Sequence, residues 1–231
     1  MNHDKEIVGI ITAQDVVEAV DDEMGEDYAK LAGLTAEEDL QETTKQSIKK
    51  RLPWLVVLLV LGMGVSAVVG AFENVVAILP IVICFQSLIL DMAGNVGTQS
   101  LAVTIRVLMD EELAPKDKLK LVFKEAKVGF SNGFLLGILA IVFLGLYIFL
   151  YKGYDIRHAF LISLCVGVSL LLAMIVSSLV GTLVPLFFKK IKVDPAVASG
   201  PLITTVNDLV AVVIYYGLSW VFLIQTMHIL G

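Results

Sequence analysis

Two short stretches of this sequence hold the residues equipped for chemistry. The first carries Asp91, Gly94, Asn95, Gly97, Thr98, Gln99 and Ser100; the second carries Thr204, Thr205, Asn207 and Asp208, shortly after Asp194-Pro195 and Gly200-Pro201. Both are embedded in apolar sequence. Their donors are carboxylates, amide carbonyls and hydroxyls, all oxygen. Hard cations take such ligands, and Mg²⁺, which gives up its waters reluctantly, suits one or two carboxylates among neutral oxygens. Neither stretch holds a His or Cys, which argues against zinc or a softer metal. In hydrocarbon such groups are costly unless they face protein or water, and a membrane aspartate is a functional candidate by default. On a helix, Asp91, Asn95 and Gln99 share a face at i, i+4 and i+8, and Thr204, Thr205 and Asp208 share one at i, i+1 and i+4. Gly94 and Gly97 would let main-chain carbonyls join the ligands if the helix loosened. Their alternative role is close packing of helices. Asp91 has an alternative too, in a water-filled vestibule or beside a neighbouring partner.

The elements that must position these residues are membrane helices. The chain of 231 residues is 57% hydrophobic with a mean hydropathy of +0.85, above the ~45–50% apolar content of soluble domains. The excess falls in five blocks, about 52–72, 75–109, 128–151, 159–188 and 201–229. Each is long enough to cross a bilayer. Pro53 suits the first turn of the first block. The second block is about 50 Å long if fully helical, so it must tilt, break or protrude. The lysine-rich stretch between the second and third blocks reads as an amphipathic surface helix opening at Pro115. Thirteen Lys/Arg flank the spans on the N-terminal side and two, Lys152 and Arg157, on the other. That bias predicts a cytoplasmic N-terminus and an extracytoplasmic C-terminus. Counting along the second and fifth spans then brings the two polar stretches to similar depth near the cytoplasmic side. There they would form a path for a cation.

Residues 1–42 hold 13 acidic residues against Lys5 and Lys30. This segment is water-facing, and nucleic acid is excluded as its partner. Ile7, Val8, Ile10 and Ile11 suit a short strand. Thr12 with Asp15 forms a capping box opening a helix through Val20. Such a strand and helix are too small to bury a core, so residues 1–20 read as the tail of a larger soluble domain. Residues 21–51 read as a charged connecting helix, and residues 52–231 as the membrane domain. Cys84 and Cys165 sit in apolar blocks and predict buried thiols, not a disulfide or zinc site. His3, His158 and His228 read as surface residues, and Arg106 as a snorkelling one. A two-aspartate intramembrane protease built on Asp91 and Asp208 finds no GxGD sequence at either position.

The runs GNVGTQSLAVTIR (Gly94 to Arg106) and DPAVASGPLITTVNDLVAVVIYY (Asp194 to Tyr216), with Phe72-Glu73 after the first span, resemble the signature segments of MgtE-type bacterial Mg²⁺ channels. Residues 9–16, GIITAQDV, resemble the end of a CBS domain, and residues 21–51 the connecting, or plug, helix of that family. The resemblance implies an all-α integral membrane protein of the bacterial plasma membrane, a homodimer with five spans per chain and its pore between the subunits. It implies passive Mg²⁺ uptake, with a hydrated ion held by paired Asp208 carboxylates and bordered by Asn95 and Gly94. Asp91, Gly97, Thr98, Gln99, Thr204, Thr205 and Asn207 would line the same path. It also implies closure of the pore by cytoplasmic Mg²⁺ acting on soluble domains. The competing expectation is a transporter coupled to H⁺ or Na⁺.

Overall fold

A computed structural model of the chain describes residues 10–36, 40–110 and 114–226. Among these residues every regular element is helical. Five helical segments are long and apolar enough to cross a membrane, and the chain is an all-α, five-span membrane protein.

The first helix, α1, spans Ala13–Leu31 and opens on the expected cap. Thr12 Oγ1 accepts the Asp15 N–H, and the Asp15 carboxylate accepts the Thr12 N–H at 2.7 Å. The strand expected before it is not formed at Ile10 or Ile11, which lie in exposed irregular chain; residues 7–9 fall outside the described residues. A strand edge needs a second strand, and the described residues supply none. The helix crosses the 20/21 boundary without a break. Residues 44–51 belong to the next helix instead, α2, Thr44–Ala71. Pro53 therefore sits well inside α2 rather than in its first turn.

The second apolar block breaks. The short helix α3 (Glu73–Ile78) ends at Leu79, whose φ of −132° and ψ of 77° are non-helical. Pro80 opens a single 3₁₀ turn, and α4 then runs Ile83–Asp110. Proline lacks the N–H that would continue the ladder and pushes its predecessor out of the helical region.

The third block does not break where expected. Helix α5 is one helix of 37 residues, Pro115–Tyr151, and the lysine-rich stretch is its first turns. The reason is its inner face. Leu121, Glu125, Gly129, Gly133 and Gly137 are all buried in one stripe at i+4 spacing, so the packing seam extends through both halves. That seam lies on α6, Ile156–Lys190. A Cβ on Gly129 would lie 2.8 Å from Ser178 Cβ, on Gly133 3.0 Å from Leu171 Cα, and on Gly137 2.9 Å from the Gly167 carbonyl oxygen. Small residues at one-turn intervals let two backbones approach, the usual way membrane helices associate.

The last span joins α7 (Gly200–Leu218) to a π-helical stretch, Ser219–Thr226. The main core gathers Val82, Phe85 and Ile89 with Ile162, Val166 and Ala173 of α6 and Val212, Tyr215 and Tyr216 of α7. Helix α2 has no buried residue. Cys165 is buried as expected, but Cys84 is exposed on the surface of the single chain. Among the described residues no other helix covers that face of α4.

Candidate functional site

The two polar stretches meet where α4 packs antiparallel against α7. The register follows from contacts along the seam. Tyr215 Oη donates to the Val82 carbonyl at 2.6 Å, and Tyr216 Oη to Gln86 Oε1 at 2.5 Å. Further along, Asn207 Nδ2 donates to the Ala93 carbonyl at 3.4 Å. Gly94 faces Thr204, whose Cγ2 would stand 3.1 Å from a Cβ there. Gly97 faces Asn207 and Ile203 so closely that a methyl group would overlap the Asn207 amide. From the other side, Gly181 of α6 lies against the Gly97 carbonyl. Three helices thus converge on Gly97 with little side-chain matter between them.

The two faces of α4 divide the predicted residues. Gly94 and Gly97 are buried in the seam, and Asp91, Asn95 and Gln99 are exposed. Thr98 lies between these groups. On α7, Thr204, Thr205 and Asp208 are half-buried, while Asn207 is fully buried with its Oδ1 unpartnered. Asp208 makes no hydrogen bond or ion pair with the described residues. The register puts it level with Met92, next to Asp91. Helix α4 stays helical across Gly94 and Gly97. The Thr98 hydroxyl lies within hydrogen-bond distance of the Gly94 and Asn95 carbonyls, at 3.1 and 2.9 Å, and Asn207 takes that of Ala93. These main-chain oxygens are occupied inside the helix pair, and the side-chain oxygens on the exposed stripe remain available. Among the described residues no three His, Cys, Asp or Glu side chains come close enough to hold one ion. A single chain therefore offers neutral oxygens and isolated carboxylates, which suits an ion that keeps its water shell.

One residue escapes the sequence reading. Glu125 of α5 is buried, and its Oε2 accepts the Ser100 hydroxyl of α4 at 3.0 Å. Ser178 of α6 donates to the Glu125 carbonyl at 2.7 Å and lies 3.0 Å from Ser100 Oγ. This network pins the back of α4, one residue from Gln99, to the α5–α6 pair. The available signal is the four-residue spacing of Glu125 with Gly129, Gly133 and Gly137, which places the carboxylate on the packing seam. Nearer the end of α4, Lys189 Nζ donates to the Leu108 carbonyl at 2.8 Å.

The corner before α7 carries a second ionic feature. Lys30 Nζ of α1 donates to Asp194 Oδ2 at 2.8 Å, with Glu26 at 3.5 Å and Asp27 at 3.9 Å. The Asp194 hydrogen bond holds the Lys30 pKa above its ordinary value. Burial alone would raise Asp194, but its hydrogen bonds from Lys30 and the Ala196 N–H bring it below the usual 3.8. Burial and the nearby Asp194 charge push Asp27 up. Gly200, the first residue of α7, has Leu31 at the end of α1 as a neighbour.

A divalent cation transporter family, MgtE, matches residues 86–218, which include both polar stretches and the helices between them. The chain belongs to the MgtE family. It is a family of transporters, not of enzymes. Similar proteins include a magnesium transporter MgtE from Enterococcus faecalis, 36% identical over 96% of this chain and 47% of that protein. Another, from Bacillus subtilis, is 36% identical over 94% of this chain and 46% of the relative. A third, from Thermus thermophilus, is 31% identical over 92% of this chain and 46% of its own length. The chain spans about half the length of these curated relatives.

Proposed function

We propose that two copies of this chain form a Mg²⁺ pathway between them, lined by α4 and α7. The observation that carries this reading is the exposed stripe of Asp91, Asn95 and Gln99 beside the unpartnered carboxylate of Asp208. On a helix of membrane length such a stripe cannot face lipid without large cost. A second copy would cover it and enclose water. Each copy then contributes one Asp208, and the pair faces a hydrated Mg²⁺ with Asn95 and the Gly94 turn at the border. Thr98, Thr204 and Thr205 flank the path, while Gly97 and Asn207 fix the distance between its two walls. Helix α2, apolar all round from Leu52 onward and without a buried residue in one chain, would meet lipid or the partner. That the relatives are named magnesium transporters supports Mg²⁺ as the cargo.

Transport is passive and follows the membrane potential, with the N-terminus in the cytoplasm of a bacterial plasma membrane. Residues 1–20 are the remnant of a CBS domain and residues 21–51 its connection to the pore. The test is Mg²⁺ uptake into vesicles containing the purified chain. Asp208→Asn is expected to lower uptake about 100-fold while dimer mass and melting temperature are kept. Full uptake by Asp208→Ala would overturn the site. Uptake that follows an imposed pH or Na⁺ gradient would replace the channel with a coupled carrier.

A further inference from the structure

The outer face of α5 carries a groove that the ion path does not use. Its described lining is Lys120, Phe123, Lys124, Lys127, Val128, Ser131 and Asn132, around a volume of about 640 Å³. We propose that this groove binds the headgroup of an anionic glycerophospholipid, with the phosphate on the lysines and the ester oxygens against Ser131 and Asn132.

Three observations converge on that ligand. The first is an excess of positive charge. Lys120, Lys124 and Lys127 lie on one helix face and make no hydrogen bond or ion pair with the described residues, whereas Lys30, Lys50 and Lys189 are each engaged. Two carboxylates of α5 lie near them: Asp117, exposed in the first turn and in no ion pair with these lysines, offsets one of the three charges, and Glu125 points the other way and is bonded to Ser100. The second is that lysine gives way to Ser131 and Asn132, which are followed by exposed Phe134, Leu135, Ile138 and Leu139. Cation, neutral polar group and apolar surface succeed one another in the order of a phospholipid's phosphate, esters and acyl chains. Lys127 and Ser131 are one turn apart, about 6 Å. The third is position. The groove begins in the lysine-rich end of α5 and continues without a break into the segment of membrane length. Clustered basic residues at a membrane boundary attract anionic headgroups.

A free phosphate would use only the lysines and leave the polar-to-apolar sequence without a role. So would the acidic face of α1 from a second copy, where Glu18, Asp21 and Asp22 are exposed. The lipid uses the whole face.

The experiment titrates the purified full chain in neutral detergent with dioleoyl phosphatidylglycerol, dioleoyl phosphatidylcholine and inorganic phosphate, reading bound lipid by native mass spectrometry. The expected result is at least tenfold tighter binding of phosphatidylglycerol than phosphatidylcholine. Lys120→Gln/Lys124→Gln/Lys127→Gln should reduce that preference to less than threefold. The charge-conserving triple Arg variant should keep it, and Ser131→Leu/Asn132→Leu should weaken it while leaving the melting temperature near wild type. An unchanged preference in the triple Gln variant overturns the proposal. Displacement of phosphatidylglycerol by millimolar inorganic phosphate also overturns it, in favour of a free-anion site. Loss of self-association in the triple Gln variant, with lipid preference intact, would assign the lysines to the partner's acidic helix.

Discussion

The α5–α6 and α4–α7 pairs are both built on glycine, yet they do different things with the closeness glycine allows. Along α5, Gly129, Gly133 and Gly137 bring the chain onto backbone and small groups of α6, and no amide or carboxylate side chain is interposed at these three glycines. Along α4, Gly94 and Gly97 admit Thr204 and Asn207, and polar groups stand on the exposed side of the same turns. The first pair is a dry support. The second is held just as tightly but keeps a polar face, so that in the proposed pathway stability and ion contact would be served by opposite sides of one helix. Glu125 joins the two, because its carboxyl reaches Ser100 across the boundary between them.

That contrast is breakable. Gly97→Ala is expected to have the largest effect, since its methyl would overlap Asn207 in a seam also closed by Gly181. Overpacking of this kind costs about 1–3 kcal/mol or more, and here it would also move the walls of the proposed ion path, so Mg²⁺ uptake should fall with melting temperature. Adding Asn207→Ala should recover part of the melting temperature without restoring uptake. Gly137→Ala places a methyl 2.9 Å from a Gly167 carbonyl that cannot rotate away. It should cost a similar ~1–3 kcal/mol, seen as lower thermal stability, yet leave ion selectivity unchanged among molecules that fold. Equal loss of selectivity in both variants would erase the distinction between support and path.

Glu125→Ala comes next. It removes the carboxylate from the buried network and leaves Ser178 Oγ as the remaining acceptor for Ser100, a loss of about 1–2 kcal/mol. Glu125→Gln retains an acceptor oxygen and should recover most of the stability and uptake. The smallest effect belongs to the Lys30–Asp194 pair, partly exposed and worth up to ~1 kcal/mol. Asp194 has a lowered pKa in the folded chain, so its contribution is complete above about 3.8 and disappears as pH falls through the lower folded value. Lys30 has a raised pKa, so its share holds below 10.5 and is lost above the folded value. The protection factors of α1 amides, after correction for the intrinsic pH dependence of exchange, should therefore be higher at neutral pH than at the acid extreme, and Lys30→Gln should remove that difference.

Much of this is legible in the residues. The apolar blocks are long, and hydropathy alone is enough to find five spans. The capping box at Thr12 and the helical faces of Asp91, Asn95 and Gln99 are local, and local geometry follows from spacing. What sequence does not supply is the consequence of packing. The lysines of α5 look like a surface segment until the buried stripe from Leu121 to Gly137 is seen to run through them. Gly94 and Gly97 suggest a loosened helix with free carbonyls. In the fold the Gly94 carbonyl is already engaged by a threonine four residues on, its neighbour on Ala93 by an asparagine more than a hundred residues away, and the Gly97 carbonyl is packed against Gly181. Cys84 reads as buried because it is apolar in context, but it is exposed in the single chain.

The crossing at Gly97 has a mechanical consequence. At Gly97 the backbones of α4 and α6 meet with no side chain between them, so of the whole seam this is the place that can act as the rivet of a pair of shears. Asp110, at the end of α4, lies 13 residues from Gly97, about 20 Å away. A ten-degree turn about the contact would carry that end through about 3 Å at a 1.5 Å rise per residue, while the turn that bears Asn95 would scarcely travel. Asp208, level with Met92, lies about 8 Å along α4 from the rivet and would travel little more. Whatever swings in this protein swings at the tips, and the oxygens that would meet the ion stay close to the still point.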